Sequence, residues 1–301
     1  MSADKEGRNA CCASCGIAEV DDIKLKDCSA CKLVRYCGVK CQRDHRQQHK
    51  KECKKRAAEL RDEILFKQPE TNHHGDCPIC CLPLSLDPKN SVMMPCCSKI
   101  ICDGCDYANQ ISELKRSLPQ KCPFCRHPTP SEEEFKRNLT KRAEANDPTA
   151  IYRVGKMRYR DGDYEAAFEY YKKAAGLGHV AAHYELSVMY QFEQGVVKDE
   201  KMQLYHSEQA AIGGHPTARH NLGCNEMSIG RTDRAVKHWI IAAKLGQDHS
   251  LENVKRAYRE GLVSKEDLAS ALRAHQAAID DTKSPHRDEA KTAPWSMVFY
   301  G

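Results

Sequence analysis

One short pattern occurs three times in the sequence: Ala174-Ala175-Gly176-Leu177-Gly178-His179, Ala210-Ala211-Ile212-Gly213-Gly214-His215 and Ala242-Ala243-Lys244-Leu245-Gly246-Gln247. The copies begin at residues 174, 210 and 242, so successive copies are 36 and 32 residues apart. A repeat length in the thirties is typical of helix–turn–helix units stacked into a solenoid. Alanine side chains let paired helices pack closely, and glycine ends a helix where the backbone needs a positive φ. The pattern therefore predicts a mainly α fold, with an α-solenoid of helix–turn–helix repeats over residues 147–281.

The repeats resemble Sel-1-like repeats, a tetratricopeptide-like family. Its aromatic residue followed by paired alanines is matched by Tyr171-Lys172-Lys173-Ala174-Ala175 and Trp239-Ile240-Ile241-Ala242-Ala243. Ser187 and Ser207 depart from a glycine and an aromatic residue of the family pattern, and a weaker fourth unit starts at Ser250. The resemblance implies a scaffold that binds other proteins on a concave face and has no chemistry of its own.

Cysteine is the most informative residue type in the composition. There are 18 cysteines, and all except Cys224 lie between Cys11 and Cys125. No export signal is visible, so we expect an intracellular protein, cytoplasmic or nuclear, whose clustered thiols hold metal. The apolar runs are too short to cross a membrane, and a net charge of +5 is too small to indicate nucleic-acid binding.

Eight residues with metal-ligand chemistry follow a regular order near the N-terminus: Cys12, Cys15, Cys28, Cys31, Cys37, Cys41, His49 and Cys53. A two-residue gap lets a tight turn present two thiolates to one zinc ion, and a three-residue gap places both ligands on one helical face. Eight ligands are enough for two tetrahedral zinc sites. Cys11 is the alternative to Cys12.

This spacing resembles the MYND zinc finger over residues 12–53. The resemblance implies one zinc ion at Cys12, Cys15, Cys37 and Cys41, and another at Cys28, Cys31, His49 and Cys53. Family members bind proline-rich peptides in a groove lined by a glutamine and a tryptophan. This sequence has Gln42 but carries Arg46 in place of the tryptophan, so a proline-rich partner would meet a guanidinium instead of a flat apolar ring.

A second series of cysteines resembles a RING finger over residues 76–127. The resemblance implies one zinc ion at Cys77, Cys80, Cys102 and Cys105, and a second at Cys96, Cys97, Cys122 and Cys125. RING fingers normally supply a histidine where this sequence has Lys99, and an ammonium group cannot bind zinc. An all-cysteine variant with adjacent ligands Cys96 and Cys97 is therefore implied, with Cys81 as the alternative donor. Together, the two cross-brace fingers are expected to hold four zinc ions.

RING fingers that act as ubiquitin ligases hold a ubiquitin-conjugating enzyme, charged with ubiquitin, in a reactive pose, which is catalysis by positioning. The resemblance implies that Ile79 and Pro123 contact this enzyme and that Arg126 forms hydrogen bonds with both partners. The tryptophan often found before the seventh ligand is absent, and Leu114 or Leu118 is the candidate replacement. The alternative is a RING-shaped finger that binds no conjugating enzyme.

Three further segments connect or follow these modules. Residues 54–75 are predicted to form a helix and a linker, and residues 282–301 a C-terminal tail. Ser131 and Glu134 form a capping-box pattern for a connecting helix over residues 131–146, and Asp147-Pro148 begins the solenoid.

No set of catalytic side chains stands out, and four protein ligands for each zinc ion leave no coordination position open for metal-assisted hydrolysis. The sequence therefore predicts a zinc-binding protein-interaction scaffold without catalytic residues of its own. The candidate enzyme activity is that of a RING-type ubiquitin-protein ligase whose repeats and MYND finger recruit substrates. The alternative function is a non-catalytic adaptor that links protein partners through its zinc fingers and solenoid.

Overall fold

The computed structural model describes residues 11–293 and contains two compact units, one ending at Lys67 and the other beginning at Gln68. The first unit contains two short antiparallel strands and two helices: β1 (Lys26–Asp27), β2 (Arg35–Tyr36), α1 (Val39–Asp44) and α2 (Arg46–Leu65). Cysteines supply most of its buried cluster, together with Leu25 and Tyr36. Because so small an apolar core cannot stabilise a fold by itself, we expect this unit to need a further source of stability.

The second unit begins with a linker and a cysteine-rich finger. In the finger, a short 3-10 helix (Pro88–Asn90) leads into an antiparallel hairpin and one helix: β3 (Ser91–Met93), β4 (Ile100–Cys102) and α3 (Asp103–Lys115). Leu84, Met94 and Ile101 are buried among the cysteines. The linker predicted before this finger lies against the solenoid, because His73 N–H donates to the carbonyl oxygen of Gly214 and its ring stacks on that of His215.

The rest of the second unit is helical, which confirms the mainly α fold. The connecting helix α4 (Glu132–Glu144) has the capping box predicted from Ser131 and Glu134, and the Asp147 side chain caps α5 (Pro148–Arg160). The following helices are α6 (Tyr164–Gly176), α7 (Val180–Phe192), α8 (Glu200–Ile212), α9 (Pro216–Ser228), α10 (Thr232–Lys244), α11 (Asp248–Arg259) and α12 (Lys265–Asp280). Within residues 11–293, no helix combines the length and the apolar character needed to span a membrane.

Close approach between successive solenoid helices explains the small residues of the repeat. Ala174, Ala210 and Ala242 are completely buried. A Cβ atom on Gly223 of α9 would lie 2.5 Å from Nε1 of Trp239 on α10, so only glycine fits beside this ring. The backbone at the repeat joints is left-handed, as at Gly178 with φ of +86°, and glycine adopts this conformation without strain.

The C-terminal segment contains one more helix. Within the predicted tail, Pro285–Thr292 forms α13, with Ser284 as its N-cap and proline in its first turn. This helix packs against α3 of the cysteine-rich finger. The rest of the predicted tail, residues 294–301, lies outside the described residues.

Candidate metal centres

The structure places the sixteen predicted zinc ligands in four groups. Within each group, the candidate ligand atoms lie within 4.8 Å of one another. The groups are Cys12, Cys15, Cys37 and Cys41; Cys28, Cys31, His49 and Cys53; Cys77, Cys80, Cys102 and Cys105; and Cys96, Cys97, Cys122 and Cys125. These are the same four sets that the two family resemblances imply. Neither alternative donor, Cys11 or Cys81, belongs to a group found among the described residues.

The distances within the groups fit tetrahedral zinc. Zinc–sulfur bonds of about 2.3 Å in a tetrahedron place two sulfur atoms about 3.8 Å apart. One sulfur–sulfur distance from each group is 3.6 Å for Cys15 and Cys37, 3.8 Å for Cys28 and Cys53, 3.8 Å for Cys80 and Cys102, and 3.9 Å for Cys97 and Cys122. The shortest is 3.3 Å, between Cys96 and Cys125. Each group therefore has the size and the donor set of a site for one zinc ion.

In the first finger, helix α2 supplies both His49 and Cys53, one helical turn apart. The Nε2 atom of His49 lies 3.1 Å from the Sγ atom of Cys31, so this nitrogen points into the group. The His45 ring stacks on the His49 ring with centroids 5.7 Å apart, and His45 Nδ1 lies 3.1 Å from the Tyr36 hydroxyl. His45 thus packs against a predicted ligand instead of entering a metal group.

In the second finger, a tight turn brings the adjacent residues Cys96 and Cys97 to the same group. The backbone N–H groups of Cys97 and Ser98 both donate to the carbonyl oxygen of Met94, and Ser98 has a left-handed φ of +55°. Lys99, which occupies the position of the usual histidine, points elsewhere. Its Nζ atom lies 5.7 Å from the centre of the Phe124 ring.

The environment of the thiols shifts their acidity. A hydrogen bond with the Cys102 side chain, with further bonds from backbone N–H groups, lowers the pKa of Cys77 to about 4. Burial raises the pKa of Cys97 to about 11 and that of Cys53 to about 12. Because zinc binds thiolates, loading these groups releases protons, and zinc affinity falls as the pH is lowered.

The residues predicted to contact a conjugating enzyme lie on the two loops that carry the zinc ligands. Ile79 is 39% exposed and Pro123 is half-buried. The Arg126 side chain is exposed, and its Nη1 atom donates to the side-chain oxygen of Asn109 on α3 over 3.0 Å. Leu114 and Leu118, the candidate replacements for the missing tryptophan, are also exposed.

Three polar residues that support the second finger were not predicted from the sequence. Glu113 on α3 is buried and accepts hydrogen bonds from the Lys121 backbone and the Asn109 side chain. Arg142 on α4 donates to the Ser98 hydroxyl and to the Cys96 carbonyl oxygen, and Arg287 on α13 donates to the loop that follows Cys80. The sequence contained no signal for the arginine contacts, although Ser284-Pro285 is a helix-start pattern that predicts α13.

Comparison with known proteins identifies two of the three modules. The MYND finger family matches residues 12–53, and the Sel1 repeat family matches residues 148–179, 180–215 and 218–247. Both resemblances inferred from the sequence are therefore confirmed, and the first finger is a zinc-binding module. Residues 76–127 lie outside the matched ranges, so their RING character stays a prediction. The helix pair α11 and α12 also lies outside them, because the last matched range ends at residue 247 and α11 begins at Asp248.

Two solved structures are similar to part of the chain. A Sel1 repeat protein from Oxalobacter formigenes is 22% identical with a TM-score of 0.44, and the match covers 55% of this chain and 50% of that one. Protein c5321, a protective antigen of uropathogenic Escherichia coli strains with an SLR fold, is 24% identical with a TM-score of 0.39, covering 58% and 39%. The chain thus spans half or less of the length of these two proteins. No curated protein matches the chain.

Proposed function

We propose that the protein is an intracellular RING-type ubiquitin-protein ligase in which the Sel1 repeats and the MYND finger recruit protein substrates. The recruiting part rests on the two identified modules, since MYND fingers and Sel1 repeats both mediate protein–protein interactions. The ligase part rests on the second finger. Its eight cysteines form two groups of four that alternate along the sequence, which is the ligand order of a cross-brace finger. Four protein ligands for each zinc ion would leave no coordination position open, so zinc would take no part in the chemistry itself.

One observation carries the ligase proposal: the two zinc loops present matching apolar side chains to solvent. In Cys77-Pro78-Ile79-Cys80 and Cys122-Pro123-Phe124-Cys125, an apolar residue precedes the second cysteine of the loop. Ile79 is 39% exposed and Phe124 is 43% exposed. Large apolar side chains in a finger with so small a core would stabilise it more if they were buried, so their exposure favours a role in binding a partner.

A conjugating enzyme would use this surface for docking, and the finger would act without a nucleophile. Docking buries Ile79 and Phe124, while Arg126 provides several N–H donors in a fixed plane beside the last zinc ligand. Donors in this position can restrain the carbonyl groups of ubiquitin and thereby raise the fraction of reactive poses. The proposed partners are therefore a ubiquitin-conjugating enzyme and the substrates that the other modules hold.

The MYND finger is proposed to bind a proline-rich peptide. Gln42 on α1 is half-buried at the expected position, and Arg46 at the start of α2 is exposed. An exposed guanidinium can stack on a proline ring, and it also favours an acidic residue next to the proline. We expect a peptide that combines both features.

The second candidate function, a non-catalytic adaptor, is favoured by the contacts of Arg126. Its guanidinium already has partners within the finger, since it donates to Asn109 and lies 3.8 Å from the Glu113 carboxylate. If these contacts persist when a partner binds, Arg126 is a structural residue. The finger would then only join proteins.

The test measures ubiquitin discharge from a panel of charged conjugating enzymes onto free lysine. The protein is expected to accelerate discharge from at least one enzyme, and Ile79→Ala is expected to weaken this effect because it removes part of the docking surface. Val197→Ala is the matched control, since Val197 is 83% exposed and lies between α7 and α8, in the solenoid. Unchanged discharge with every enzyme in a broad panel would favour the adaptor.

A further inference from the structure

Helix α13 packs against the start of α3, immediately beside two predicted zinc ligands. Gly104 lies between Cys102 and Cys105, and a Cβ atom on Gly104 would lie 2.7 Å from the backbone nitrogen of Arg287. Any side chain at position 104 would therefore displace α13. Arg287 itself is only 3% exposed, although it lies in a short helix near the end of the described chain.

The guanidinium of Arg287 forms hydrogen bonds with the loop that follows Cys80. Its Nη1 atom donates to the carbonyl oxygens of Pro83, at 2.7 Å, and Thr282, at 2.8 Å. Its Nη2 atom donates to the carbonyl oxygen of Leu82 at 3.2 Å and lies 3.4 Å from the Sγ atom of Cys80. One side chain thus joins the C-terminal helix to the zinc-binding loop and contacts a predicted zinc ligand directly.

The negative charge of a zinc site with four thiolates would strengthen the contact between Arg287 and Cys80. Four thiolates around one Zn²⁺ ion carry a net charge of −2, and two of the four ligands, Cys77 and Cys102, are buried. A buried guanidinium that donates to one of these sulfur atoms offsets part of that charge, and a charge-assisted hydrogen bond is stronger than a neutral one. Groups that bond to metal ligands also hold those ligands in the geometry that the metal needs.

We infer that Arg287 stabilises zinc at the Cys77, Cys80, Cys102 and Cys105 site, so that docking of α13 and retention of this zinc ion are coupled. The inference rests on this group holding zinc and is independent of ligase activity. The arginine at the other site of the same finger acts differently. Arg142 bonds to the Ser98 hydroxyl and the Cys96 carbonyl oxygen, and its described contacts include no cysteine sulfur.

The test follows zinc loss from the full-length protein. Zinc-loaded wild type, Arg287→Ala, Arg287→Lys and the control Lys283→Ala are placed in excess chelator, and bound zinc is counted over time by native mass spectrometry. Alkylation of newly freed thiols, mapped by peptide, identifies the site that opens. Lys283→Ala is a suitable control because it removes a nearby positive charge whose partner, the exposed Asp280, is not a cysteine.

Arg287→Ala is expected to lose one zinc ion about tenfold faster than wild type, at the low end of the effect of removing a group that supports a metal ligand. Alkylation should then map to Cys77, Cys80, Cys102 and Cys105. Arg287→Lys should be intermediate, because it keeps the charge but not the planar set of donors. Faster hydrogen exchange in residues 285–292 after this zinc ion leaves would show the reciprocal effect.

Three results would overturn the inference: loss of this zinc ion from Arg287→Ala at the rate of Lys283→Ala, equally accelerated loss from all sites, or no zinc at this group in wild type. If Arg287→Ala does not fold, Arg287→Lys decides the question. Selective loss of one zinc ion supports the coupling, and a wild-type rate contradicts it.

Discussion

The guanidinium of Arg126 donates a hydrogen bond to the side-chain oxygen of Asn109 over 3.0 Å, which ties the last zinc loop to helix α3. Arg126 also has a left-handed φ of +63°. The Arg126 side chain is nevertheless 60% exposed, so most of it stays open to solvent while this bond is made.

Arg126→Ala should leave docking of a conjugating enzyme nearly intact but slow ubiquitin discharge. Removal of one hydrogen bond from a charged donor costs about 1.5–3 kcal/mol, which corresponds to about 10–150-fold in rate if the bond forms in the reactive pose. Enzyme binding, discharge and zinc content would be measured on the same samples. Arg116→Ala removes an exposed arginine from the end of α3 and serves as the control. Discharge at the wild-type rate would show that Arg126 has no such role.

A fragment of residues 131–283 should remain helical in excess chelator. The four metal groups lie outside this fragment, and stacked helices stabilise one another through their shared interfaces. Circular dichroism of the fragment with and without chelator checks this expectation. A loss of helical signal on chelation would show that the solenoid depends on metal.

Trp239→Ala should destabilise the same fragment by about 3–5 kcal/mol, as expected for truncation of a large buried aromatic side chain. Trp239 is 2% exposed and packs against Gly223 of the preceding helix. The free energy of unfolding would be measured in urea. Tyr258→Ala, at a side chain that is 39% exposed, is the control and should cost much less.

The stability of the fragment should fall as the pH drops below about 6.5. Burial lowers the pKa of His238 to about 3 and that of His206 to about 4, and both residues lie within the fragment. An unfolded histidine binds a proton below about 6.5, whereas these folded ones stay neutral, so each contributes stability that is complete above this pH and is lost as the pH falls toward the folded value.

Each of these histidines should add a slope of up to about 1.4 kcal/mol per pH unit below pH 6.5. Urea unfolding at pH 7.5, 6.0 and 5.0 gives this slope. His206→Gln should reduce the slope, and the exposed His249→Gln should leave it unchanged. Equal stability at pH 7.5 and 5.0 would mean that the histidines are not buried as described.

Local patterns predicted local structure well. The sequence patterns for two helix N-termini, the capping box at Ser131 and Glu134 and the cap at Asp147, both form as predicted. Each depends only on a hydrogen bond between a side chain and a backbone N–H group two or three residues later in the sequence. The two family resemblances likewise imply the four ligand groups that the structure brings together. Lys99 at the histidine position was the one departure that changed a ligand set, and a left-handed residue, Ser98, makes the alternative turn.

Contacts between distant segments could not be predicted in this way. Arg287 bonds to Pro83, which lies 204 residues earlier, and no periodicity relates the two positions. His73 lies in a polar stretch that predicts a linker, yet its flat ring stacks on His215 with centroids 4.1 Å apart. In both cases the contact of a polar side chain depends on where the fold places a distant segment, and the composition of the sequence does not give this position.

The central claim is that the two fingers together form four zinc sites, one of them built on the adjacent residues Cys96 and Cys97. Native mass spectrometry of the zinc-loaded full-length protein tests it directly. The account predicts four zinc ions for wild type and for Cys11→Ser, whose cysteine belongs to none of the groups, and three for Cys97→Ser. A count of three or fewer for wild type, or of four for Cys97→Ser, would contradict it.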